Sequence, residues 1–209
     1  MPSPGSRRSG APTRRHPGAE MGPLRGRLLV ATPPLEDPNF DRTVVFMIEH
    51  THEGAVGVVL NRPGPGGVVE QVLGLPGGPA WRLGLAEPQV AFTGGPVQPD
   101  GVIALAEVVD PRPGPGFQPV LGALGTVDIA THPDEVAGGV RRCRVFHGYA
   151  GWGPGQLEDE IERHAWLVAD ARPDDVFAAD PERLWRRVLG RLPGRLGWLA
   201  LFPDDPVVN

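Results

Sequence analysis

The sequence predicts a single α+β domain. Short apolar runs rich in β-formers recur along the chain, and short helical segments fall between them. The two kinds of segment do not alternate in the regular βαβ manner that builds a doubly wound parallel sheet. A length of 209 residues suits one domain with an ordinary core.

Taken in order, "GRLLVATP" (26–33) reads as a first strand closed by Pro33-Pro34, and "LEDPNFDR" (35–42) as a polar turn. "TVVFMIEH" (43–50) is too short for a helix, hence a buried strand. "THEG" leads into "AVGVVLNRP" (55–63), a strand ended by Pro63. A four-residue link containing Gly is hairpin length, so these two strands are expected to pair antiparallel. Residues 64–88 are rich in Gly and Pro around a short helix over 67–75. "PQVAFTGGPVQPDGVIALAE" (88–107) reads as strand, a loop over 94–100, and strand; "DPRPGPGFQP" (110–119) reads as an irregular surface insertion. "GTVDIA" (125–130) is a strand and "THPDEVAGG" (131–139) a short helix with Pro near its first turn. "RCRVFHGYA" (142–150) is a strand, followed by a helix from about Pro154 to Trp166 and the strand "WLVAD" (166–170). "DPERLWRRVLG" (180–190) is a helix with Asp180 as N-cap, Pro181 at N1 and Gly190 as stop.

The N-terminal stretch, residues 1–23, is unlike the rest. It carries Arg7, Arg8, Arg14 and Arg15 among Pro, Gly, Ser and Ala, with no apolar stretch of the kind a secretory signal needs. So little of it is apolar that disorder is expected, and Met21 is a candidate for the true start. Residues 1–20 hold four of the 20 basic residues and one of the 25 acids, so the remainder carries 16 against 24. An acidic body argues against direct nucleic-acid binding, which draws on clustered Lys and Arg. The arginine clusters 141, 142, 144 and 183, 186, 187 are expected to be solvated faces. No run is long and apolar enough for a transmembrane helix.

Absences narrow the chemistry further. The chain has no lysine, which removes Schiff bases and the phosphate-loop lysine; its three serines, Ser3, Ser6 and Ser9, all lie in the tail. Its one cysteine, Cys143, excludes an intrachain disulfide and a multi-thiolate zinc site. Strand alternation sets Cys143 with Val145 and opposite Arg142 and Arg144, so a buried, inert thiol is expected.

The densest stretch is "RVFHGYAGWGPGQLEDEIERHAW" (144–166). A Gly-rich turn feeding a helix is a common phosphate cradle. Here Pro154 removes a donor, and Glu158, Asp159, Glu160 and Glu162 occupy the positive end of the helix. The spacing instead predicts a capped strand-to-helix joint, with Gly153 as N-cap and Gln156 at N3, and with Leu157, Ile161 and Ala165 facing the core. His147, Tyr149 and Trp152 either border a pocket beside the glycines or pack the sheet–helix interface. His50 and His52 point the same way on a strand end, yet no third metal ligand follows from spacing. His50 is therefore expected as a hydrogen-bonded residue at a hairpin end and His52 as exposed. Gly94 and Gly95 before Pro96 allow two backbones, or a backbone and a ligand, to approach closely.

Four stretches together carry a family resemblance: "LLVATPPLEDPNFDRTVVFMIEHTHEGAVGVVLNRP", "FTGGPVQPDG", "GYAGWGPGQLEDEI" and "FPDDPVVN". In order and spacing, from about Leu28 to Asn209, the chain resembles the AlgH family, also called YqgE. The resemblance implies a compact α+β fold around a curved, partly barrel-like mixed sheet, mostly antiparallel and flanked by several short helices. It implies a cytoplasmic bacterial protein of a family whose members are often labelled transcriptional regulators and for which no biochemical activity is established. Among the motif positions it carries over are Arg42, His50, Asn61, Gly94, Gly95, Pro96, Trp152, Gln156 and Glu158, and an anionic partner for Arg42 is sought in Glu158 or Asp37. With His147 and Tyr149, these are the candidate pocket or motif residues; Pro38 and Pro63 are further motif positions that the resemblance carries over. The function expected is regulation through an unidentified protein partner or a small metabolite, without direct DNA contact. The alternative is an enzyme, hydrolase- or transferase-like, using His50, His147 and carboxylates. Neither a cofactor nor a metal is expected.

Overall fold

The computed structural model describes residues 23–33, 35, 37–64 and 78–194. The tail over 1–22, the short helix expected at 67–75 and the closing "FPDDPVVN" lie outside the described residues. Nine strands form one sheet there: β1 (Arg27–Ala31), β2 (Val44–Thr51), β3 (Gly54–Val59), β4 (Phe92–Thr93), β5 (Val97–Val108), β6 (Phe117–Leu121), β7 (Leu124–Val127), β8 (Val140–Trp152) and β9 (Trp166–Asp170). Four short helices accompany them: α1 (Gly78–Trp81), α2 (Gln156–Glu162), α3 (Pro173–Val176) and α4 (Leu184–Leu189). The strand order is β6-β7-β5-β8-β3-β2-β1-β9, with every neighbour on that path antiparallel. β4 lies off the path and pairs parallel with β8. The result is a curled, half-barrel α+β domain, as the sequence led one to expect.

The β2–β3 hairpin forms with Thr51 opposite Gly54. Its strands read as continuous apolar runs because both faces are covered. Leu28, Val30, Val44 and Phe46 enter a central core that α4 and residues 176–178 close. The alternate residues Leu29, Ala31, Val45 and Met47 pack on the other face with Trp152, Leu157 and Trp166. Around β5–β7, a third cluster gathers Phe117, Val127, Cys143 and Val145 against Trp81.

β8 holds the sheet together. Its first part pairs with β5 and its last residues, Ala150–Trp152, pair with β3. Between them Gly148 adopts φ +65°, which turns the strand from one partner to the other.

Several boundaries differ from expectation. Residues 97–100 belong to β5 rather than to a loop, with a register shift between Val97 and Val102 that accommodates Pro99. The insertion at 110–119 ends in strand β6, because Phe117 is buried and Pro119 is tolerated where β6 forms the sheet edge. The long helix expected from 154 to 166 is the shorter α2. Gly155 precedes it in the left-handed region at φ +75°, and His164 at φ +60° reverses the chain into β9. At 180–190 a 3-10 turn, Pro181–Arg183, leads into α4; Asp180 makes no side-chain cap and instead pairs with Arg183 at 3.2 Å. The helix α3, with Pro173 in its first turn, was not anticipated.

Candidate functional site

The strand-to-helix joint is closed and fully engaged. His50 is 7 % exposed; its Nδ1 accepts from the Leu24 N–H at 3.0 Å, and its Nε2 lies 2.9 Å from Glu158 Oε1. A backbone N–H can only donate, so Nδ1 carries the lone pair and Nε2–H donates to the carboxylate. His50 thus ties the end of β2 to residue 24 and to α2, and neither nitrogen is open to a metal shared with exposed His52.

Two residues beyond Glu158 along α2, Glu160 Oε2 accepts from the indole N–H groups of Trp152 at 2.9 Å and Trp166 at 2.8 Å. Its Oε1 accepts from Gln156 Nε2 at 2.9 Å. Phe40 stacks on Trp152 with centroids 6.3 Å apart and meets Trp166 edge-on at 5.5 Å. Gln156 Oε1 accepts from the Gly153 N–H, half of a capping box, although Gly155 is the cap residue. Trp152 is therefore buried in packing with its N–H satisfied, and half-buried Tyr149 packs against the central core. Nothing in the sequence set Glu160 apart from the three other acids of its helix. Only the two tryptophans flanking it hinted at a shared acceptor.

Asn61 is a backbone clamp. Buried at the end of the hairpin, it accepts from the Val44 N–H through Oδ1 and donates from Nδ2 to the Arg42 carbonyl, both at 2.9 Å. These bonds hold Arg42 at φ +50° in the turn before β2, with its guanidinium 5.6 Å from the centre of the Trp185 ring. Glu158, one of the partners sought for Arg42, pairs with His50.

The glycine pairs meet, as their spacing allowed. A Cβ on Gly95 would lie 2.3 Å from the Tyr149 carbonyl carbon, and one on Gly148 would lie 2.4 Å from the Gly95 oxygen. The Gly94 N–H donates to the His147 carbonyl at 2.7 Å, so the two main chains run in direct contact. Register sets His147 beside Thr93, and its Nε2 is buried without a hydrogen-bond partner among the described residues.

In front of this contact lies an open groove of about 280 Å³. Pro38 and Asn39 line it from the first turn, Val59, Arg62 and Pro63 from the end of the hairpin, and Thr93, Gly95 and Pro96 from the glycine turn. Of the residues singled out in sequence, Pro38, Pro63, Gly95 and Pro96 reach it, whereas His50, Asn61, Trp152, Gln156 and Glu158 serve the joint or the clamp. Asn39, Arg62 and Thr93 were missed, since nothing local marks residues that lie far apart along the chain.

Two neighbours on β8 show how far charge pattern misleads. Arg144, expected on a solvated face, is 1 % exposed. It donates to the carbonyls of Val176 at 3.0 Å, Ala178 at 3.1 Å and Glu87, with its guanidinium 4.2 Å from the Phe92 ring centre. Burial first, then the nearby Arg142, lowers its pKa to about 10. Carbonyl dipoles and a ring face replace the solvent it lost. Cys143 points to the opposite face, buried, and burial pushes its thiol up to about 12 despite Arg144. It is inert as expected.

The curled antiparallel sheet, the closed aromatic–carboxylate joint and the glycine contact form, among the described residues, a small α+β domain with a motif-lined groove. A family model described as AlgH-like matches residues 28–197. A UPF0301 protein of Streptomyces avermitilis is 47 % identical over 195 residues, covering 91 % of this chain and 97 % of its own. One of Thermobifida fusca is 48 % identical over 195 residues, covering 89 % and 96 %. Among solved structures, protein DIP2367 of Corynebacterium diphtheriae superposes with a TM-score of 0.78 at 31 % identity, over 87 % of this chain and 94 % of that one. The AlgH protein of Pseudomonas aeruginosa gives 0.61 at 28 % identity, over 92 % and 99 %. The chain belongs to the AlgH-like family.

Proposed function

We propose that this chain is a cytoplasmic regulatory protein that acts by binding a protein partner or a small ligand at the groove, without contacting DNA directly. One observation carries this reading: the turn at 38–39, the hairpin end at 59–63 and the glycine turn at 93–96 converge on an open groove. His50, Asn61, Trp152, Gln156 and Glu158 are spent on bonds inside the fold. A whole-chain charge of −5 with no lysine weighs against a phosphate-backbone partner. A regulator label of the kind family members carry is met by such an indirect action. The enzyme alternative has the His50–Glu158 pair in its favour, since a histidine on a carboxylate is the usual form of a general base. Here the other ring nitrogen takes a backbone N–H and the side chain is buried, which leaves no lone pair for a substrate proton.

The test is co-purification from the native host with the natural chain and with Thr93→Tyr, which fills the groove, followed by protein and metabolite mass spectrometry. A species retained by the natural chain and lost from the variant is expected. Identical retained sets, or specific nanomolar DNA binding in gel shifts at physiological salt, would overturn the proposal.

A further inference from the structure

We infer that the groove is an anion subsite: it takes a small ligand through one carboxylate or phosphate group, held by Arg62 with Asn39 and Thr93. This rests on the groove being the working surface and adds the chemistry of what enters it.

Arg62 carries the inference. It is half-buried at the groove wall, and among the described residues its one hydrogen bond runs to the Asp41 carbonyl, with no carboxylate in ion-pair range. By contrast, Arg142 is paired with Glu107 and Asp174, and Arg191 with Asp175. A guanidinium presents five N–H donors in a planar fork matched to two oxygens of a carboxylate or phosphate. Most of that fork remains unspent, on a concave surface where a ligand oxygen can reach it.

The surroundings supply the rest of a small headgroup site. Thr93 offers an exposed hydroxyl that makes no hydrogen bond among the described residues. Asn39 is oriented by Asp37, whose Oδ1 accepts from its backbone N–H at 2.8 Å and its Nδ2 at 3.1 Å; that leaves one amide hydrogen for a ligand. His147, which pairs in register with Thr93, has an Nε2 buried without a partner among the described residues. Pro38, Pro63 and Pro96 stiffen the walls, so little ordering entropy is lost on binding. The volume, about 280 Å³, suits a small metabolite. Asp37 and Asp41 stand nearby in the sequence of the turn and disfavour a polyanion, which limits the ligand to one anionic group.

The experiment titrates the isotopically labelled full chain at fixed ionic strength, with inorganic phosphate in one arm and acetate in the other. Backbone amide shifts of Asn39, Thr93 and Gly95 are the readout. Saturable shifts at these amides are expected in at least one arm, and the arm that responds names the headgroup. Arg62→Ala should weaken binding about tenfold, and Thr93→Val, which leaves the Arg62 bond to the first turn intact, about threefold. Arg172→Ala, on another face, should leave it unchanged. No saturable shift in either arm, or undiminished affinity in both groove variants, would overturn the subsite. If anions bind but Thr93→Tyr retains the same co-purifying species, the regulatory reading fails instead. If neither anion binds while Thr93→Tyr still loses its partner, only the subsite fails.

Discussion

The strand-to-helix joint and the groove are built from neighbouring motif stretches, yet they differ in how their polar groups are used. In the joint the side chains of His50, Trp152, Gln156, Glu158, Glu160 and Trp166 are all answered. His50 spends both nitrogens and Glu160 serves two tryptophans and a glutamine. In the groove, Arg62 and Thr93 keep donors unspent at an open surface, and His147 next to Thr93 has a buried nitrogen without a partner among the described residues. A dense cluster of aromatic and acidic residues is thus no guide to a binding site. A buried network gains stability by completeness, whereas a site for a ligand must leave something incomplete.

The contrast can be broken at the contact behind both regions. Gly95→Ala places a Cβ 2.3 Å from backbone that cannot move aside, and should cost about 4 kcal/mol or more, read by urea denaturation. A loss below about 1 kcal/mol would show that the two chains are not locked together. Glu160→Ala strands two buried indole N–H groups and should cost about 2 kcal/mol, with a change in tryptophan emission. Glu160→Gln, which keeps one acceptor oxygen, should cost less. If both variants are as stable as the natural chain, the joint is not the structural hub described.

Cys143 tests the core cluster around β5–β7 by pH. Its folded pKa, about 12, lies above the ordinary 9.0, so between these values the unfolded chain releases a proton that the native chain retains. The native state then binds more protons, and stability falls as pH rises above about 9, by up to about 1.4 kcal/mol per pH unit. Cys143→Ala should remove this component, and parallel pH profiles for the two proteins would contradict it. The smallest effect belongs to the groove: Thr93→Val should change unfolding free energy by less than about 0.5 kcal/mol. A large loss there would make Thr93 part of the structure rather than of the site.

Much of the fold was legible in the sequence. The hairpin followed from two apolar runs four residues apart, and the glycine contact from Gly94–Gly95 and Gly148 being free of side chains where chains must touch. β6 was not legible, because Pro and Gly around Phe117 look like a loop until an edge position excuses Pro119. Arg144 was misjudged for a physical reason. Carbonyls from residues 87, 176 and 178 solvate its charge, and no local pattern reveals partners so distant. The joint was foreseen as a capped turn, but its hub, Glu160, was hidden among similar acids. Of the groove, the sequence showed Pro38, Pro63, Gly95 and Pro96; Arg62 became visible only once the first turn and the glycine turn stood on either side of it.

We propose that the groove, and not the joint, is where this chain binds its ligand. The most direct test is an amide-shift map of the labelled chain exposed to a small-molecule extract of its native host. Shifts should concentrate on Asn39, Arg62, Thr93 and Gly95, and fade in Arg62→Ala. Shifts centred on His50, Trp152 and Glu158, with the groove amides unmoved, would contradict the account.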